Sequence, residues 1–154
     1  MAGRFDVTVV INRPIEEVFA FLADGTNDPQ FSPRVQEIAK TTDAPPGVGT
    51  IYASTVKDAG MTTKREFAIT EFQPPTRIRW AEQTRNTVTA PEGGYDLSPE
   101  GAGTRVTLHN VLQGNGLVGK LLEPLALRAA RKGADDFGAS IKRAVEAETG
   151  PPGA

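Results

Sequence analysis

Apolar residues in this chain first alternate, then recur at helical spacing, and the switch between the two patterns sets its plan. Over residues 5–11, Phe5, Val7, Val9 and Ile11 fall on one face of a strand. Pro14 suits the first position of a helix, where its missing N–H costs nothing. Ile15, Val18, Phe19 and Leu22 follow at helical spacing, with Glu16 and Glu17 in the first turn. Asp24 to Pro29 stops that helix, and Pro29 to Arg34 predicts a single helical turn carrying Phe31. Between Val35 and Gln113 the period of two returns. Strands are expected near 35–41, 49–57, 62–73, 76–85, 92–98 and 104–113, divided by turn-rich stretches such as Gln73-Pro74-Pro75 and Pro99 to Gly103. Pro91 and Gly93-Gly94 mark a bulge or a break.

Gly114-Asn115-Gly116 turns into a helical region, with Asn115 as an N-cap. From Pro124 to about Glu148, at about 100° per residue, Ala126, Ala130, Gly133, Ala134, Phe137, Ile141, Ala144 and Val145 share one stripe. Leu121 and Leu125 lie off it, which predicts a kink or break just before Pro124. Thr149 to Ala154 reads as a disordered tail. A sheet with one helix-covered face is an α+β architecture. The stripe is small-sided in its first half, so it permits either close packing or an open space there.

Composition narrows the chemistry. The 154 residues fit one domain, placed at 1–148. Without Cys there is no disulfide, thiol nucleophile or Cys-based metal site, and a single His excludes a multi-histidine centre. No metal and no cofactor are expected. Seventeen basic and nineteen acidic residues, with no basic run, give no footprint for nucleic acid. The absence of a signal-like stretch and of about 18 consecutive apolar residues predicts a cytoplasmic chain without integral membrane association.

Residues Val9 to Asp24 (Val-Val-Ile-Asn-Arg-Pro-Ile-Glu-Glu-Val-Phe-Ala-Phe-Leu-Ala-Asp) resemble the opening strand and helix of the SRPBCC superfamily, the START-like or birch-pollen-allergen-like proteins, closest to its polyketide cyclase/dehydrase-like branch. Gly47-Val48-Gly49-Thr50, Gly103-Thr104-Arg105-Val106 and the Pro124-interrupted terminal helix agree with it. Arg13 stands where many relatives carry Ser or Ala, and Phe31 where Trp is common. The resemblance implies a helix-grip: a curved six- to seven-stranded antiparallel sheet around a long C-terminal helix, two short helices after the first strand, and a deep apolar cavity.

Alternation then nominates the side chains facing that cavity. Val106, Leu108, Asn110 and Leu112 share one face of the last strand, which turns His109 outward to a surface or half-buried position. The expected inward sets elsewhere are Thr63, Arg65, Phe67, Ile69 and Glu71; Ile78, Trp80 and Glu82; and Tyr95 and Leu97. Arg65 and Glu82 are either a cross-strand ion pair or polar groups of a binding site, and Trp80 and Tyr95 either core or ligand stackers. Leu117, Val118, Leu121, Leu122 and Leu125 either pack on the short helices or form a gate opposite Phe31, with Gly114, Gly116 and Gly119 letting it move. The expected ligand-binding set is Phe31, Arg65, Phe67, Ile69, Trp80, Glu82, Tyr95, Asn110, Leu122, Leu125, Ala126 and Ala130.

The leading expectation is binding of a hydrophobic or aromatic small molecule without turnover. The alternative is a polyketide cyclase/dehydratase-type enzyme with Arg65 polarising a carbonyl, Glu82 as base and Tyr95 as proton donor. A third reading, an interaction module, needs an apolar convex face, and Arg105, Thr107 and His109 there do not favour it. Monomer and homodimer are both open.

Overall fold

The computed structural model describes residues 3–58 and 60–149. Strand β1 (Gly3–Ile11) leads through helix α1 (Ile15–Ala23) and a 3-10 helix (Gly25–Gln30) into β2 (Val35–Lys40), β3 (Ile51–Asp58), β4 (Met61–Gln73), β5 (Arg77–Glu82), β6 (Val88–Glu100) and β7 (Gly103–Gly114). Helices α2 (Gly116–Lys132) and α3 (Ala134–Thr149) follow. The strands form one antiparallel sheet ordered β1-β7-β6-β5-β4-β3-β2, so every spatial neighbour but the β1/β7 pair is also a neighbour in sequence. This is the expected helix-grip.

The terminal helices cover the inward face at the β1/β7 side. Gly138 lets α3 come close, since a Cβ there would stand 3.0 Å from Val7 Cγ2. Leu127 of α2 occupies the space a side chain at Gly3 would need. Ile11, Val18, Ile78, Val106, Ile141 and Val145 are the innermost apolar residues, drawn from strand, helix and sheet alike. Arg13 is buried too. Its Nη2 donates to the Glu146 carbonyl at 2.8 Å, satisfying one of the last acceptors of α3, while the Asn12 N–H donates to Glu146 Oε2 at 2.9 Å. The junction between β1 and α1 thereby ties down the last turns of α3.

Several expectations change. The break falls at Gly133 rather than before Pro124: α2 runs through Pro124, and the Gly133 N–H donates to the carbonyls of Ala129 and Arg131. Pro124 and Lys120, whose carbonyl the proline leaves without a helical donor, are both exposed. Gly133 itself is exposed, not part of the covered stripe, and α3 includes Thr149; the rest of the expected tail lies outside the described residues. In β4 the pairing shifts between Ile69 and Glu71, so parity flips. Phe72 turns inward, 5.3 Å from Phe19, and Glu71 turns out toward Arg77. In β6, expected as 92–98, the strand starts at Val88 and carries a bulge between Thr89 and Glu92, at Pro91, which has no ladder N–H to lose.

Gly93 lies between Trp80 on β5 and Asn110 on β7, and a Cβ there would overlap Asn110 Oδ1 and the Trp80 indole. Gly93→Ala is expected to destabilise the fold by about 1–3 kcal/mol in urea unfolding, because Asn110 and the Trp80 indole must both shift to admit the methyl group.

Candidate functional site

The inward face holds two groups of the nominated residues. In the first, Arg65 Nη1 donates to Glu82 Oε1 at 2.8 Å, and Phe67 pairs with Glu82 across β4 and β5. The Glu82 carboxylate is buried and takes three further donors: the Ala90 N–H at 2.8 Å, Thr84 Oγ1 at 2.6 Å and Asn86 Nδ2 at 2.7 Å. Ala90 sits in the β6 bulge, so its N–H lies off the ladder and Glu82 supplies the missing acceptor. With four donors around it, this carboxylate holds structure and is poorly placed to serve as a base.

In the second group, Trp80 packs edge-on to Tyr95 with ring centroids 5.2 Å apart, Ile69 pairs with Trp80, and Asn110 reaches over Gly93 beside the indole. The groups are separate. Tyr95 pairs with Ile78, four residues along β5 from Glu82, roughly 13 Å at strand rise. Arg65, Glu82 and Tyr95 therefore do not converge on one reacting atom. Two polar atoms of the inward face, Arg65 Nε and Asn110 Oδ1, are buried without a hydrogen-bond partner.

Phe31 is buried between Phe21 and Phe137, at 6.4 and 5.8 Å between ring centroids. It lines an open groove of about 490 Å3 between residues 29–33 and the last turns of α3, where Arg143, Ala147 and Glu148 form the facing wall. A smaller cleft of about 320 Å3 adjoins it at Phe21 and Asn27. Ala126 and Ala130 are half-buried on α2, whereas Leu122 and Leu125 point to solvent with Leu117, Val118 and Leu121. The leucines do not pack on the short helices. Gly114 and Gly119 are no hinge either: a Cβ on Gly114 would overlap the Gly119 backbone, and one on Gly119 the Thr87 carbonyl, so these glycines pin α2.

One carboxyl escaped the alternation pattern. Asp28, in the 3-10 helix, is pushed up to about 7 by burial, with the Asp24 charge adding to the shift. Burial, and then the Asp28 charge, hold the Tyr95 hydroxyl well above its ordinary value, so it keeps its proton. Asp28 followed by Pro29 reads in sequence as a helix stop, and nothing in the pattern of a turn says which way its side chain points. On the convex face, His109 is only 3% exposed, more deeply set than its outward position implied, and both ring nitrogens lack a partner. Its nearest acid is Glu92 at 3.9 Å, and burial first, then Arg4 and Arg79, lower its pKa and keep it neutral.

An aspartate raised from 3.8 to about 7 holds its proton in the folded chain where the unfolded chain has lost it. The folded state then binds the extra proton, so this residue's contribution to stability falls as pH climbs from about 4 to about 7 and stays low above that. Asp28→Asn is expected to flatten that decline and to unfold at higher urea than the parent at about pH 8.

The fold recurs in solved structures of low sequence identity. The Thermus thermophilus protein TTHA0849 matches with a TM-score of 0.79 at 19% identity, over 96% of this chain and 100% of that one. The Zhui aromatase/cyclase from Streptomyces sp. R1128 gives 0.74 at 18%, over 96% and 93%. A START superfamily protein from Mycobacterium smegmatis gives 0.70 at 16%, over 91% and 97%. No curated protein matches the sequence. The family described as polyketide cyclase/dehydrase and lipid transport matches residues 2–146, and the chain belongs to it.

Proposed function

We propose that the chain binds a largely apolar small molecule, bearing one polar group, between the inward face of the sheet and α2. The observation that carries this reading is the pair of buried, unpartnered polar atoms on that face, Arg65 Nε and Asn110 Oδ1. A buried donor or acceptor left without a partner is costly, and a ligand's polar group entering there would relieve one of them. Trp80, Phe67 and Ile69 supply apolar wall beside them, and on the helix side Ala126 and Ala130 are small and half-buried. Family membership supports the same class of ligand.

Titration with apolar fluorescent probes and lipid extracts is expected to give saturable binding. Ala130→Leu should weaken it several-fold at little cost in stability. A loss of about 1–3 kcal/mol with unchanged probe affinity would instead mark Ala130 as packed core. No saturable binding by any probe sinks the reading.

A second reading, a cyclase or dehydratase acting on a polyketide-like substrate, is favoured by Asp28 rather than by Glu82. A carboxyl at about 7 is matched to proton transfer near neutral pH, and Tyr95 nearby remains protonated. Asp28 would take the proton next to a substrate carbonyl while Tyr95 gives one to the carbonyl oxygen. With a poly-β-ketone mimic, Asp28→Asn should abolish conversion and keep probe binding; no conversion by the parent protein removes the proposal.

A further inference from the structure

We infer that the exposed leucine face of α2 is a docking surface for an anionic membrane. Leu117 is 84% exposed, Leu121 74%, Val118 63%, Leu125 61% and Leu122 41%. At helical spacing these five cover an arc of about 140° over the first turns of α2. The other large apolar residues in the open, Val10, Val48 and Met61, lie outside the helices and form no such stripe. A contiguous apolar face of this kind on a folded chain marks a contact surface.

Charge identifies the partner. The chain is net acidic at −2, yet α2 carries Lys120, Arg128, Arg131 and Lys132, all exposed. Its one acid, Glu123, is turned inward and accepts the Gly114 N–H at 2.8 Å. Arg128 and Lys132 continue the angular range of the leucines one to two turns further on, so the greasy half and the basic half of the helix look the same way. Arg131 also donates to the Arg4 carbonyl, which braces that half against β1. Apolar residues sunk at the headgroup boundary with cations reaching phosphates are the pattern of an interfacial helix. A second copy of this chain fits less well, because pairing α2 with itself would set the cations of one copy against those of the other with no exposed acid on the helix between them.

The face is also held rigid. Asn115 donates from its backbone to Thr87 O at 2.8 Å, and from Nδ2 to Asn86 O at 2.6 Å and to Thr89 Oγ1 at 2.7 Å, while Gly114 and Gly119 press backbone on backbone. The helix is presented as a fixed platform, so docking needs no prior opening. Among the described residues no helix is long and apolar enough to cross a membrane, and the docking inferred here is attachment at the surface. The inference stands whether or not the interior takes a ligand.

The test is co-sedimentation of the whole chain with vesicles of phosphatidylcholine alone or doped with phosphatidylserine, at low and raised salt. Binding is expected to the doped vesicles, weakened by salt. The double substitution Leu121→Asp with Leu125→Asp should cut partitioning at least roughly tenfold, and Arg128→Glu with Lys132→Glu should remove the preference for phosphatidylserine. All four positions are exposed, so thermal unfolding in solution should hardly move, and that measurement separates lost docking from lost fold. Absence of binding to the doped vesicles overturns the inference, as does binding that survives the leucine substitutions. Concentration-dependent dimers in sedimentation velocity, lost in the leucine variant and unaccompanied by vesicle binding, would assign the face to a second copy instead.

Discussion

The carboxylate of Glu82 is the constraint on which the far end of this molecule depends. A buried charge is tolerable only when opposite charge and hydrogen bonds replace its water. Here Arg65 provides the charge, and the bulged Ala90 N–H, Thr84 and Asn86 provide the bonds. Each of those donors needs the others in place, so β4, the 83–87 loop and the β6 bulge are specified together. The chain of bonds then goes on. Asn86, held by Glu82 through its side chain, offers its carbonyl to Asn115, and Asn115 opens α2. The same donors that surround Glu82 thus lead through Asn86 to the first turn of α2.

Much of this fold was legible because period-two alternation and helical spacing are local signals. The strands of β1, β3, β5 and β7, the inward parity of Val106, Leu108 and Asn110, and the seat of α1 all follow from them. What failed was parity across an irregularity. One shifted residue near Thr70 puts Phe72 where Glu71 was expected, and no pattern within β4 signals it. The bulge at Pro91 was signalled, because proline cannot donate to a ladder, and it is the one irregularity that the sequence announces chemically.

The terminal helix misled for a different reason. Proline inside a helix loses a hydrogen bond and crowds the carbonyl four residues back, yet α2 runs through Pro124, which lies on its exposed side. Gly133, by contrast, ends α2, its N–H donating back to the carbonyls of Ala129 and Arg131 before α3 begins at Ala134. Once the break moves to Gly133, Leu117 to Leu125 belong to α2 rather than to a preamble. Their exposure is then a property of a regular helix laid against β7, not of a loose flap. A sequence cannot distinguish these, because leucines at helical spacing look alike whether a partner covers them or not.

The candidate chemistry was legible in the opposite proportion. Alternation points to side chains on strands, so it found Arg65, Glu82 and Tyr95, and it gave no weight to Asp28, which a short 3-10 helix delivers from outside the sheet. Yet the carboxyl with the large upward shift is the one that alternation missed. Glu82 has every acceptor direction answered, whereas Asp28 is burdened by desolvation and by the Asp24 charge, and sits close enough to Tyr95 to perturb it. Burial of a carboxyl without compensating charge is a cost to folding, and a chain that carries such a cost beside a protonated phenol has a pair of groups whose protons are out of step with bulk water. The ion pair that looked reactive in the sequence, by contrast, is committed to the backbone and side-chain donors that it supports.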